Sequence, residues 1–207
     1  MAELGLVILI SGLALIFYGI AARSVQPALN EQITSRVIFD DMDVALSWIW
    51  RGPYDELIYR EASARQVPAN LIKAIAQHES SMNPGRVNPE TSVVREAVLR
   101  NEILAASDGG DSVIRRHEID PSIGLMQIRV STARDFESIQ PVDLFNASTN
   151  VRIGAKFVRW LFDRGVTPDT IDAYNVGLGN LNRGVRNSAY RSSVLALAER
   201  YMGDFPA

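Results

Sequence analysis

The chain has 207 residues, 47% of them apolar, enough for one ordinary domain with a sizeable core and something extra. Its net charge of −3, with no basic block, argues against nucleic acid as a partner. The absence of cysteine excludes disulfides and thiolate chemistry. With His78 and His117 as the only imidazoles, no metal site or cofactor is expected.

Residues 4–22 carry no charged side chain and, at ~1.5 Å per residue, are long enough as a helix to cross about 28 Å of hydrocarbon. Glu3 precedes the run, where a secretory signal would have a basic start, although Gly19-Ile20-Ala21-Ala22 resembles a cleavage site. The expectation is a transmembrane helix serving as a retained anchor over residues 1–22, favoured over a cleaved signal. Residues 23–52 read as a connector helix: Ile33, Val37, Met42, Leu46 and Ile49 recur at helical intervals, with Asp40, Asp41 and Asp43 between them. Trp48 and Trp50 suit either a membrane interface or packing on the following domain, and packing is the commoner outcome.

The compact domain is expected over 53–207, mainly α with at most a small hairpin. Helices are predicted over 55–66, from Pro68 through Ser80, over 89–106, 130–136, 147–162 and 190–202. The turn Asp108-Gly109-Gly110-Asp111 has too few alternating oxygens for a calcium loop and reads as exposed. Val113 to His117 reads as a short strand.

The helix after Pro68 holds the most informative residue. Leu71, Ile75 and Glu79 fall at i, i+4 and i+8, so Glu79 continues an apolar stripe, and Asn83-Pro84-Gly85 ends the helix close behind it. A carboxyl in that position is poorly solvated and sits at the negative end of the helix dipole. Both effects favour the protonated form that a general acid needs. By itself this pattern fits an idle glutamate at a frayed helix end better than a general acid. His78 points off the Glu79 face and reads as structural or exposed.

Four stretches then follow in order: Glu79-Ser80-Ser81-Met82-Asn83-Pro84, Ser122-Ile123-Gly124-Leu125-Met126-Gln127-Ile128, Asp143-Leu144-Phe145-Asn146 with Asn150-Val151-Arg152-Ile153-Gly154-Ala155, and Ala173-Tyr174-Asn175-Val176-Gly177-Leu178-Gly179. Together they resemble the soluble lytic transglycosylase family, with its lysozyme-like fold, over about residues 55–202. The resemblance implies cleavage of the β-1,4 bond between N-acetylmuramic acid and N-acetylglucosamine in peptidoglycan, closing a 1,6-anhydro ring. It implies Glu79 as the acid and base and Tyr174 as the tyrosine orienting it. Ser80, Ser122, Met126, Gln127 and Asn175 would meet the glycan strand. The long interval from Ser80 to Gly124, and Pro121-Ser122 before the second motif, resemble members from conjugative secretion systems and phage particles. The implied setting is a membrane-anchored enzyme facing peptidoglycan on the envelope side, or one carried in a virion. A hydrolytic muramidase on the same fold and an inactive membrane-tethered peptidoglycan-binding or assembly protein are the alternatives.

Overall fold

The computed structural model describes residues 6–10, 13–17, 50–165 and 169–206. The chain divides into two units, Met1–Ile49 with Pro206–Ala207, and Trp50–Phe205.

In the first unit, β1 (Leu6–Ile10) and β2 (Leu13–Phe17) pair antiparallel, with Leu6 opposite Phe17 and Ile10 opposite Leu13. This corrects the expected transmembrane helix over 4–22. A charge-free run has too few polar residues to mark a period, so helix and strand leave the same trace in it. Val7, Ile8 and Ile10 favour strand, and Ser11-Gly12 falls in sequence between the two five-residue strands. Among the described residues, no helix is long and apolar enough to cross a membrane. The connector helix expected over 23–52 lies outside the described residues up to position 49. Trp50 is not helical; its ring packs 5.4 Å from Tyr59 and 6.2 Å from Phe205, centroid to centroid.

The second unit is built on α1 (Asp55–Ser63) and α2 (Ala69–Ser80). The predicted continuation of α1 to residue 66 fails because Gln66 takes φ 53°, and Val67 N–H returns to the Ala62 carbonyl at 3.1 Å. Pro68 then enters α2 from an extended conformation, giving up an amide that the first turn leaves unpaired anyway. Six consecutive residues of α2, Leu71 to Ala76, are buried. Full burial of each isoleucine among them contributes about 1.5–3 kcal/mol. The helix ends at Ser80, within a turn of Glu79, because Ser81 and Met82 both turn left-handed, at φ 55° and 62°.

Next come β3 (Val87–Asn88), α3 (Glu96–Ala105), α4 (Asp111–His117), β4 (Ser122–Ile123) and β5 (Ile128–Arg129). The strands form an antiparallel sheet in the order β3-β4-β5, the small hairpin expected plus one strand. The helix predicted over 89–106 begins only at Glu96, after a run of bends.

Residues 113–117 are helical, not a strand. Asp108 accepts hydrogen bonds from Gly110 N at 3.2 Å and Ser112 N at 2.8 Å, and three basic residues close the last turn against the helix dipole. These local contacts outweigh the strand preference of Val113 and Ile114. The turn before α4 is not exposed either. Gly109 and Gly110 are buried against Gln140, Ile103 and Pro141, and Val142 N–H donates to the Gly109 carbonyl at 2.9 Å.

The domain is completed by α5 (Val130–Phe136), a 3-10 turn (Pro141–Phe145), α6 (Ala147–Phe162), α7 (Thr170–Val176), α8 (Leu178–Asn182) and α9 (Ser188–Arg200). Helix α2 packs on α1, α6 and α9, which brings its C-terminal end between the sheet and the two C-terminal helices. The core includes Ile72, Ile75, Leu99, Ile103, Ile123 and Ile153, so the helices between β3 and β4 share the core of the rest.

Candidate active site

Glu79 occupies the last turn of α2, on the stripe begun by Leu71 and Ile75, and is half-buried. Burial raises its pKa above the ordinary glutamate range; the Tyr190 hydroxyl opposes the rise and the charge of Glu90 adds to it. Tyr190 O–H donates to Glu79 Oε1 at 2.6 Å. Tyr190 comes from the buried side of α9 and is held beside His78, ring edge to face, at 4.6 Å. No cation pairs with Glu79 among the described residues. Its partner is a neutral phenol whose own pKa is pushed far up by burial.

Glu79 lines a cavity of about 440 Å³ together with Arg86, Glu90, Ser122, Gln127, Tyr174 and Asn175. Phe157, Ile128 and Val176 add apolar wall. This is a cleft of the size and mixed character that suits sugar rings, with hydrogen-bonding groups set among apolar surfaces.

The turn between β4 and β5 is fixed from beneath by Asn150 of α6, which is fully buried. Its side chain accepts from Met126 N at 2.8 Å and donates to the carbonyls of Ile123 at 2.7 Å and Leu144 at 3.0 Å. Gly124, at φ 82°, passes so close to this amide that a Cβ would lie 2.3 Å from Asn150 Nδ2. Gln127 adopts φ 46° and its amide donates to the Gly124 carbonyl at 2.9 Å, which leaves its side chain on the cavity wall.

The residues expected from the sequence thus separate. Glu79, Ser122, Gln127, Tyr174 and Asn175 converge on the cavity. Met126 and Ser80 do not. Met126 has no exposed surface, and its sulfur fills the space left by Gly154, where a Cβ would meet it at 2.2 Å. Ser80 is buried with its hydroxyl donating to the Ala76 carbonyl and accepting from Asn83 N–H, so it closes the helix end. Tyr174 is beside Glu79, yet its hydroxyl donates to the Met126 carbonyl at 2.7 Å. The hydrogen bond to the acid comes from Tyr190, which the sequence reading missed. Ser122 donates to Glu90 Oε1 at 2.8 Å, and Asn175 accepts from Asn187 Nδ2 at 2.9 Å.

A mainly helical domain carrying a carboxyl without a cation on a cleft lined by polar side chains is the arrangement of a lysozyme-like glycan-cleaving enzyme. The family model described as Transglycosylase SLT domain matches residues 56–194, and the chain belongs to that family. It is therefore a transglycosylase acting on the glycan strands of peptidoglycan. No curated protein and no solved structure is matched by the chain.

Proposed function

We propose that Glu79 is both the acid and the base of a lytic reaction that ends in 1,6-anhydro-N-acetylmuramic acid. The observation carrying this reading is the Glu79 carboxyl itself, raised in pKa by burial, unpaired with any cation and open to the cleft. With Oε1 held by Tyr190, Oε2 delivers the proton to the glycosidic oxygen. The bond between that oxygen and the muramic anomeric carbon then breaks, and the leaving sugar departs as an alcohol. The Glu79 carboxylate next takes the proton of the muramic 6-hydroxyl, whose oxygen closes on the same anomeric carbon. The carboxyl ends the cycle protonated, as it began. A nucleophile within the substrate is held at high effective concentration, so no second carboxylate has to attack or activate water. Positioned proton transfer of this kind supplies ~10²–10⁴ in rate.

Gln127, Asn175 and Tyr174 are proposed to contact the strand, with Ser122 contributing through the group it holds. The inactive-binder alternative has no use for an unpaired buried acid, whose burial costs stability. A hydrolytic muramidase would draw on Glu90 as base, but both oxygens of Glu90 already accept hydrogen bonds from Ser122, Asn88 and Arg129.

We further infer action at the cell envelope, in a membrane-associated setting or carried in a phage particle or secretion assembly. Support for membrane association is the lack of charge in residues 4–22. The test is mass analysis of purified peptidoglycan digested by the full chain. Anhydro ends are expected; ends heavier by one water throughout would replace this reading with the muramidase.

A further inference from the structure

The stretch between α2 and β4 places a second carboxylate on the same cavity as Glu79. Glu90 follows β3 in a left-handed conformation, φ 57°, which disfavours a residue with a long side chain. Glu90 is exposed, and its conformation is held by local contacts. Glu90 N–H donates to Asn88 Oδ1 at 3.0 Å, while Oε1 accepts from Ser122 Oγ at 2.8 Å and from Asn88 Nδ2 at 3.1 Å. Arg129 donates to Oε2 at 3.2 Å. Ser122 is 5% exposed, so its hydroxyl is committed to this carboxylate and has little surface left for a sugar. Strain maintained by this many contacts needs a reason.

We propose that Glu90 is a positioning residue of the cleft, a fixed negative charge tied down by Asn88, Ser122 and Arg129 that sets the pH range over which Glu79 acts. The proposal rests on the reading of Glu79 as the acid. The other ionisable groups around Glu79 and its cavity are Tyr190 from α9, Tyr174 from α7, His78 beside it on α2, Arg86 from the segment after α2, and Arg129 from β5. Both phenols are held neutral by burial. Arg86 is engaged by Glu96, and Arg129 pairs with Glu90 and offsets part of its charge. Glu90 remains as the charge that reaches Glu79, and its sign favours the proton-donating form.

The test is a carbon-detected NMR titration of the Glu79 carboxyl in the full chain, with Glu79→Gln identifying the resonance. In Glu90→Gln, which keeps an acceptor for Ser122, Glu79 should titrate at lower pH than in the wild type. Glu90→Asp, which keeps the charge, should restore most of the wild-type value. The difference between wild type and Glu90→Gln should shrink in high salt, as a charge effect across an open cleft must. In peptidoglycan digestion, the loss caused by Glu90→Gln should grow with pH, reaching several-fold on the alkaline limb. An unchanged Glu79 titration in Glu90→Gln overturns the proposal, as does an Asp variant that shifts as far as the Gln one. Wild-type protein that fails to cut peptidoglycan would overturn the functional reading alone, because the titration does not depend on turnover.

Discussion

Helix α2 carries two ionisable residues away from bulk solvent, the buried Lys73 and the half-buried Glu79, and the domain treats them in opposite ways. Lys73 lies between two carboxylates, 2.7 Å from Asp55 and 2.8 Å from Asp204. Arg51 completes the cluster by reaching Asp204, so the group ties the start of the domain to its end. Burial alone would lower the Lys73 pKa, and the two carboxylates overcome that and raise it. Among the described residues, Glu79, less than two turns on, receives no cation and one phenolic hydroxyl. A buried charge met by opposite charges is a clasp. A buried acid left without one keeps a proton that it can hand over.

The contrast can be broken first at the clasp. Lys73→Met leaves Asp55 buried without a cation and Asp204 with only the exposed Arg51, and should cost about 3–5 kcal/mol of stability. Chemical denaturation checks this. Replacing all three residues with well-packed apolar ones should cost far less, since no unpaired charge remains.

A smaller effect is expected from Tyr190→Phe, which preserves the packing on His78 and removes the hydrogen bond to Oε1. It should lower kcat/KM by about 1–3 kcal/mol of transition-state stabilisation with little loss of fold. Tyr174→Phe should cost less activity, because its hydroxyl serves the Met126 carbonyl. Kinetics of the pair rank the two tyrosines, and a larger loss from Tyr174→Phe would reverse the assignment.

The smallest effects are slopes of stability with pH, and they have opposite signs at two glutamates. Arg152 and then Lys156 hold the Glu137 carboxyl down to about 2 against the opposing effect of burial. Its folded pKa lies below the unfolded one, so its contribution is present above the unfolded value, near 4.5, and is lost as pH falls toward 2. Glu79 is raised, so the folded state holds its proton more tightly. That contribution is present below the unfolded value and is lost as pH rises through the folded pKa. Thermal melts across pH should show Glu137→Gln flattening the acid side and Glu79→Gln flattening the rise-in-pH side.

What the sequence made legible follows from where a pattern had a period or a motif to carry it. Helices α5 and α6 appear with their predicted bounds, and Glu79 was found because Leu71 and Ile75 mark the buried face of α2. Tyr190 had the same mark: Tyr190, Val194 and Ala198 are all buried at four-residue spacing, which put a phenol on the core side of α9. It went unread because no motif surrounds it and its partner lies 111 positions away. Met126 and Ser80 show the reverse failure. A motif located them near the cleft but could not say which way a side chain at a tight turn faces; that is decided by Gly154 and by the helix-end hydroxyl bond. Residues 113–117 were read as strand from β-branching, before the Asp108 contacts that start the helix could be known. Over residues 4–22, uniform hydrophobicity erased the distinction between helix and strand altogether.

The central claim is that Glu79 alone moves the protons, and Glu79→Gln tests it most directly. The variant keeps the side-chain volume, so the far-ultraviolet spectrum should be unchanged and its melting point near neutral pH should equal or exceed that of the wild type. Its rate of muropeptide release from purified peptidoglycan should fall by at least ~10². A folded Glu79→Gln protein that releases muropeptides at close to the wild-type rate would contradict the account.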